Sequence, residues 1–555
     1  MWNKVRWLAG EAKMAAQVVR STGVINAMAP RGLVQFARAA KETKFGPHLA
    51  VLYHASVQPE KEAVVEYGID GSVRRLTWGE LNATINRLGH ALFARGVKGG
   101  DQVAVMLPNG MEYLIAQQAL ARVGATAVQI GYRLKAGEIV HILENAEPRA
   151  TLVHADYLAA MRQARAQVNA TTPMIVVGGD GNHGSTDTDD WSRALAAASP
   201  DLPPRVRGGD GGGVIVYTSG TTGKPKGAKR NWNQTGIEAV ADMILQCGMR
   251  SDDRHLVVCP LYHSAAPAFV TMMMSLGATV VLMNHFEAEA ALRIIENEKI
   301  TCSMMVPTML VRMCALPPAV RTKYSTRSLR WVMSGAAPLS TETARQVLEQ
   351  WGPVLFNFYG STETGLVTIA GPLDHTQRPG TIGKAMRGNT IRLLDDDGKP
   401  VAVGGIGELY ARNSTLMAGY HRNAEATNSA ARDGFYSVGD LARVDADGFY
   451  YLESRKHDMV ISGGVNIYPR EIEDHLHTHP AILEAAVVGI PDPEWGETLK
   501  AFIVCRDGQA ITDVDVIEFC RSGLADYKRP RKVVFLAELP RNPTGKVLKR
   551  DLRDA

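Results

Sequence analysis

No run of 18 apolar residues occurs in the chain, so no membrane-spanning helix is expected. The first apolar residues are interrupted by charges, which gives no secretory signal. Cysteine is scarce. The six present (Cys247, Cys259, Cys302, Cys314, Cys505 and Cys520) include no C-x-x-C pair. That spacing argues against a disulfide framework and a thiolate zinc site, and fits small buried residues in a reducing, cytoplasmic compartment. Excess charge is also missing. Lys and Arg total 61 against 57 acids, a net +4, so no global field favours nucleic acid. What is present is ordinary for a soluble globular protein, 45 % apolar and 21 % charged. At 555 residues, two or more domains are expected.

One stretch organises the chain, Val214-Ile-Val-Tyr-Thr-Ser-Gly-Thr-Thr-Gly-Lys-Pro-Lys-Gly227. The β-branched run Val214 to Val216 reads as a buried strand. It breaks into a loop of glycines, hydroxyls and two lysines. Glycines let backbone N–H groups approach an anion, hydroxyls add donors and lysines add charge, so the loop suits a polyphosphate. It is not the G-x-x-x-x-G-K-[ST] pattern, because Gly220 and Gly223 lie too close together and Pro225 follows Lys224.

Residues 1–45 carry eight Lys/Arg and two acids, Glu11 and Glu42, with apolar residues near helical spacing. Three readings are open: a basic amphipathic helix making a peripheral membrane contact, an organelle transit peptide, or a helix packed on the main domain. From about 46 to 200, helical and extended patterns alternate. Thr77-Trp-Gly-Glu80 has capping-box spacing and opens a helix through Leu92. Val103 to Leu107, Thr151 to Val153 and Met174 to Val177 read as strands, and Glu112 to Val123 as a helix. The alternation predicts a layered α/β domain. Gly178 to Asp190 is polar and acidic and reads as a surface loop. Gly208 to Gly213 contains G-x-G but precedes a strand, where a dinucleotide fingerprint would follow one.

Further along stand Pro260-Leu-Tyr-His-Ser264 and a methionine-rich region: Met272, Met273, Met274, Met283, Met304, Met305, Met309 and Met313. Methionines fill core gaps and also line adaptable pockets. Trp331-Val-Met-Ser-Gly-Ala-Ala337 reads as a strand entering a turn. Asn357-Phe-Tyr-Gly-Ser-Thr-Glu-Thr-Gly365 reads as an aromatic strand ending in hydroxyls and one acid, oxygens that suit Mg2+. Tyr436-Ser-Val-Gly-Asp440 ends in a carboxylate able to accept both hydroxyls of a ribose. His475, His477 and His479 lack a cysteine or a suitably spaced carboxylate, so they read as solvated helix residues rather than metal ligands. Pro543-Thr-Gly545 predicts a turn from which Lys546 emerges.

Tyr217 to Gly227 resembles the phosphate loop of the AMP-forming adenylating superfamily, which includes acyl-CoA synthetases, luciferases and adenylation domains of peptide synthetases. The later blocks follow in that superfamily's order, from about 217 to 546. Ile461-Ser-Gly-Gly-Val-Asn-Ile-Tyr-Pro469 is most similar to the fatty-acid–CoA ligase branch. The resemblance implies a large multi-sheet α/β adenylate-forming domain, 46–455, and a small mobile α+β domain, 456–555, after the extension 1–45. It implies ATP, Mg2+ and CoA as co-substrates of a medium- or long-chain fatty acid. An aryl or sterol-derived acid is the alternative, as is delivery to a carrier protein or to oxygen. A non-catalytic binding protein is opposed by the intact Lys546, Glu363 and Asp440.

On that resemblance, nucleotide contacts come from Thr218, Ser219, Gly220, Thr221, Thr222, Gly223, Lys224 and Lys226. Further contacts come from Gly335, Asn357, Phe358, Tyr359, Gly360, Thr362, Asp440, Arg455 and Lys546. Thr218 and Glu363 would hold Mg2+, and Lys546 would bridge the acyl oxygen and the α-phosphate. His263 would border the acyl carboxylate, Gly463 and Gly464 the CoA arm, and His457 would be the pivot of the small domain. Two departures from the family pattern stand out: His457, where Asp or Lys is usual, and Trp232 in Lys229-Arg-Asn-Trp232, where His is common. No nucleic-acid partner is expected, and a homodimer is an open reading.

Overall fold

The computed structural model describes residues 14, 16–23, 46–179, 181, 188–204, 212–218, 225–232, 236–542 and 546–553. The chain divides into two compact units. One comprises Met1–Met304, Tyr324–Arg330 and Ser414–Ser429, the other Met305–Lys323, Trp331–Asn413 and Ala430–Ala555.

The first unit contains an eight-stranded sheet. Its order is Gly419–Tyr420, Lys226–Asn231, Gly213–Thr218, Thr126–Gln129, Gln102–Met106, Ala150–His154, Met174–Val177 and Thr188–Asp190. The pairs from Gly213–Thr218 through Thr188–Asp190 are parallel. Their centres, Val103-Ala-Val105, Ala127-Val128, Leu152-Val153 and Ile175-Val176, are fully buried, as parallel strands covered on both faces require. A second sheet runs Val73–Thr77, Glu62–Tyr67, Thr279–Met283, Arg254–Val257 and Cys302–Met305. The capping box forms as expected. Thr77 Oγ1 accepts from the Glu80 amide at 3.3 Å and Glu80 Oε2 from the Thr77 amide at 2.8 Å, opening helix Trp78–Ala94.

The acidic segment before Trp191 departs from the expected loop. Thr188–Asp190 adds a short parallel strand beside Met174–Val177, and Asp190 caps helix Trp191–Ala196 by accepting from the Arg193 amide. Three polar residues at a sheet edge carry no hydrophobic period, so pattern reading passes over them. At the N-terminus, residues 16–22 are helical. Met14 and Thr22 are buried, and the Thr22 carbonyl accepts from the Ser251 amide at 2.8 Å. That stretch is packed on its own unit; residues 1–13 and 24–45 lie outside the described residues. No helix among the described residues is long and apolar enough to cross a membrane.

In the second unit, Trp331–Ser334 lies parallel to Leu355–Ser361. The sheet then continues antiparallel through Gly365–Ala370, Thr381–Ala385, Tyr450–Arg455 and Asp440–Val444 to Gly407–Arg412. Beyond it, Val465–Ile467, Val460–Ser462, Gly496–Cys505, Ile482–Asp492 and Lys532–Phe535 form a five-stranded sheet. Its long pair alternates strictly. Ala485, Val487, Ala501 and Ile503 face one apolar core, while Ala486, Val488, Phe502 and Val504 face another. The small C-terminal domain is therefore α+β with a core of its own.

His475, His477 and His479 are partly buried rather than fully solvated, and each has a partner. His475 stacks on Phe519 at 4.5 Å and its Nε2 meets the Phe519 carbonyl at 3.0 Å. His477 Nε2 accepts from the Ala485 amide, and His479 lies edge-on to Phe519. They fasten helix Pro469–Leu476 to helix Asp513–Gly523 and the sheet. No metal-binding group of three His, Cys, Asp or Glu occurs among the described residues. Five of the six cysteines are buried and all are free thiols. The methionines are core as well: seven of the eight are buried, Met309 being half-buried.

Candidate active site

In the first unit, the phosphate-loop segment is a hairpin. Strands Gly213–Thr218 and Lys226–Asn231 are antiparallel, with Thr218 directly opposite Lys226 and Tyr217 opposite Gly227. Gly227 is needed for this pairing: a Cβ there would lie 2.9 Å from Ile215 Cγ2 and 3.1 Å from the Tyr217 ring. Ser219, Gly220, Thr221, Thr222, Gly223 and Lys224 lie outside the described residues.

The hairpin is braced on both sides. The Tyr217 hydroxyl donates to Asn145 Oδ1 at 2.6 Å, and His141 Nε2 meets the Pro225 carbonyl at 3.0 Å. On the far side the Gly227 carbonyl accepts from the His421 amide, and Lys226 Nζ sits 5.5 Å from the centre of the Tyr420 ring. Trp232, the departure from the family pattern, donates from Nε1 to the Ala125 carbonyl at 3.1 Å, tying the end of Lys226–Asn231 to the start of Thr126–Gln129 past the strand between them. His263 follows a turn stapled by Asn109, which donates to the Cys259 carbonyl and accepts from the Leu261 amide. Its ring lies against Tyr262 at 4.1 Å.

In the second unit, the strand Leu355–Ser361 brings Asn357, Phe358 and Tyr359 past Gly335. A Cβ on Gly335 would lie 2.3 Å from Phe358 Cε1, so the strand approaches that closely only to glycine. The turn after Ser361 is held by its own hydroxyl, which accepts from the amides of Glu363 and Thr364 at 3.1 and 2.9 Å. This fixes Thr362 and buries the Glu363 side chain to 7 % exposure. Gly360 is constrained too, since a Cβ there would meet the Gly365 carbonyl at 1.9 Å.

Asp440 and Arg455 face each other across strands Asp440–Val444 and Tyr450–Arg455, with Arg455 Nε 3.4 Å from Asp440 Oδ1. The other oxygen, Oδ2, accepts from the Tyr359 hydroxyl at 2.7 Å. Burial, then the Asp440 charge, pushes the Tyr359 phenol well above its ordinary range, so it stays protonated and keeps donating.

Lys546 completes the cluster. Its amide donates to Asn542 Oδ1 and its carbonyl accepts from the Asn542 amide, both at 2.9 Å, beside the bridge Arg541–Val547. Pro543, Thr544 and Gly545, where a turn is expected, lie outside the described residues. Burial, then the Arg455 charge, lowers the Lys546 ammonium below the ordinary lysine range. Asp440 and Glu363 act in the opposite direction. Four side chains separated by up to 183 positions (Glu363 to Lys546) thus share one electrostatic neighbourhood.

Gly463 and Gly464 form the two-residue turn between Val460–Ser462 and Val465–Ile467, both with positive φ (56° and 79°), as a tight hairpin demands. The Gly463 amide donates to the Trp495 carbonyl at 2.9 Å. His457 follows the end of the Arg455 strand; burial lowers its imidazole pKa, and its carbonyl accepts from Arg553 Nη2 at 3.0 Å. Sequence reading missed Tyr359 as a partner of Asp440, Asn109 as a staple, Tyr420 beside Lys226, and Arg553. None lies next in sequence to the group it serves.

A model of the AMP-binding enzyme family matches residues 52–421, and one of the AMP-binding enzyme C-terminal domain matches residues 471–546. The chain belongs to the AMP-binding enzyme family. Feruloyl-CoA synthase of Amycolatopsis sp. is 35 % identical over 483 residues, 86 % of this chain and 93 % of that protein. The long-chain-fatty-acid–CoA ligase FadD13 of Mycobacterium tuberculosis is 33 % identical over 501 residues, 90 % and 96 % of the two chains. Among solved structures, the anthranilate CoA ligase AuaEII in complex with anthranoyl-AMP superimposes with a TM-score of 0.85 at 27 % identity, covering 93 % of this chain and 98 % of that one.

This AMP-binding enzyme is an acid–CoA ligase of the acyl-CoA synthetase type, with a large N-terminal α/β domain and a small C-terminal α+β domain. Its substrates are a small carboxylic acid, ATP and CoA, and ATP is used with Mg2+. The residues fit such a cation. Mg2+ prefers hard oxygens, keeps waters and takes phosphate oxygens, so one buried carboxylate on a rigid turn suits it better than an all-protein cage. Glu363, buried on the Ser361 turn, has that character.

Proposed function

We propose that this ligase activates an apolar carboxylic acid, with a medium- or long-chain fatty acid as the first candidate. The observation that carries the reading is the gathering of Lys546, Glu363, Asp440 and Arg455 in one neighbourhood. In the first step a substrate carboxylate oxygen bonds to the α-phosphorus of ATP, and the bond to pyrophosphate breaks. Two anions must meet, so positioning and cationic charge dominate the barrier. Lys546 supplies the mobile positive charge beside the acyl oxygen and the α-phosphate.

Asp440 holds the ribose hydroxyls. With one position on each oxygen used by Tyr359 and Arg455, its remaining lone pairs accept the diol. Asn357, Phe358, Tyr359, Gly360, Thr362 and Gly335 surround the nucleoside. Lys226, Lys224 and the loop amides take the leaving phosphates. Glu363 and Thr218 supply the protein's oxygen ligands to Mg2+, which neutralises phosphate charge when bound. In the second step the CoA sulfur bonds to the acyl carbonyl carbon, its proton leaves, and AMP departs. No protein nucleophile is required. Gly463 and Gly464 border the CoA arm, and the domain 456–555 turns about His457 between the steps.

An aryl acid is the second reading. Tyr132 stacks on Tyr157 at 5.2 Å and meets Tyr262 edge-on at 5.3 Å, next to His263. Aromatic faces of this kind suit a ring substrate. The names of the feruloyl and anthranilate relatives point the same way. The deciding experiment measures AMP release from ATP and Mg2+, with and without CoA, across acids from acetate to oleate plus benzoate, ferulate and a bile acid. CoA-dependent AMP release confined to long-chain acids supports the first reading, and release confined to ring acids the second. Equal, CoA-independent release with every acid overturns both.

A further inference from the structure

Arg553, on the terminal helix Lys549–Arg553, reaches back to the pivot. One of its nitrogens, Nη2, donates to the His457 carbonyl at 3.0 Å and to Asp458 Oδ1 at 2.8 Å. A guanidinium NH2 carries two hydrogens, so both bonds can form at once, and the second is charge-assisted. The Asp458 side chain is 15 % exposed and that of Arg553 31 %, so the pair is partly shielded from screening water.

The helix is fastened in other ways as well. Leu552 is buried with Ala486, Val488 and Phe502. Lys549 Nζ pairs with Glu473 Oε1 at 2.6 Å, an oxygen that also accepts from the Val487 amide. On the upstream side, the Leu548 amide donates to the Pro540 carbonyl, and Asn542 closes on Lys546. The segment 546–553 is therefore one short strut. Lys546 is at one end and Arg553 at the other.

The pivot peptide is tied on its other flank. The Arg455 carbonyl accepts from the amides of Asp458 and Met459, and the Lys456 amide donates to the Gly439 carbonyl, next to Asp440. We infer that Arg553 is a positioning residue for adenylation: by clasping the His457–Asp458 peptide it sets where Lys546 stands relative to Arg455 and Asp440. This rests on the reading of Lys546 as the adenylation lysine. Rotation about the His457 backbone carries its carbonyl, Asp458 and Arg553 together. The clasp therefore confines movement to His457 and transmits it to Lys546 without slack.

The test separates the two half-reactions of the full-length enzyme in Arg553→Ala, Arg553→Lys and Lys546→Ala. Adenylation is read as acid-dependent ATP–pyrophosphate exchange, and thioester formation as CoA-dependent consumption of supplied acyl-adenylate. Arg553→Ala is expected to slow exchange by about ten-fold or more, the scale of a lost charged hydrogen bond, and to leave thioester formation within about two-fold. Arg553→Lys, whose ammonium can donate to both acceptors, should recover most of the exchange. Unchanged exchange in Arg553→Ala, or equal loss of both half-reactions in Arg553→Ala and Arg553→Lys, overturns the inference. Unchanged exchange in Lys546→Ala overturns it through its premise and removes the reading beneath it.

Discussion

Tyr359 donates its hydroxyl hydrogen bond to Asp440 Oδ2 at 2.7 Å, across 81 positions of sequence. A strand otherwise read as an aromatic nucleotide platform thus also orients the carboxylate assigned to the ribose. Tyr359→Phe removes that donor and keeps the ring. The expected result is a rise of about ten-fold in KM for ATP, the scale of one hydrogen bond to a charged group, with a smaller change in KM for the acid. Steady-state kinetics in each substrate checks it.

The Lys546 ammonium gives a pH prediction with two opposite signs. Its pKa is lowered in the folded enzyme, first by burial and then by Arg455. With Lys546 read as the adenylation lysine the charged form is the active one, so kcat/KM for ATP should fall as pH rises through a value below the ordinary lysine range. Stability should move the other way. Between the folded and unfolded pKa values the unfolded chain binds more protons, so this group makes folding more favourable as pH rises. Parallel pH series of kcat/KM and Tm, against Lys546→Ala, should show activity falling while this contribution to Tm rises.

Gly335→Ala tests packing under the site. The new methyl would enter the Phe358 ring, and overpacking of this kind costs about 1–3 kcal/mol. A lower Tm is expected, with partial recovery in the double variant Gly335→Ala/Phe358→Leu. Additive losses would show that the two positions are independent.

Lys226 stands over the Tyr420 ring at a distance where a cation–π contact is worth about 0.5–1 kcal/mol near the surface. Tyr420→Leu should weaken ATP binding by about two- to five-fold, and Tyr420→Phe should leave it unchanged. Isothermal titration with ATP and Mg2+ reads both.

Much of the site was legible in the sequence because each motif block is a local object. The β-branched run Val214 to Val216 and the aromatic strand ending in Ser-Thr-Glu-Thr each state their own conformation. The capping box at Thr77 and the strand at Met174–Val177 were legible for the same reason. What was hidden is pairwise and distant. Nothing near Asp440 announces Tyr359, and nothing near His457 announces Arg553. His475 and His479 look solvated on their own helix, yet Phe519 from another helix claims both. The strand Thr188–Asp190 was invisible because three polar residues at an edge, held by backbone pairing and by ion pairs of Asp189 with the distant Arg95 and with Arg193, carry no hydrophobic period.

The burial of the cysteines has a chemical consequence. A mixed anhydride of a carboxylic acid and AMP is a strong acylating agent, and a thiolate is its best amino-acid target. Burial pushes the thiols of Cys314 and Cys520 up to about 11, and those of Cys247 and Cys302 upward as well. At neutral pH these four stay protonated and out of reach. These four thiols are thereby poor targets for self-acylation and for mixed disulfides with oxidised CoA, which leaves the acceptor role to the incoming thiol.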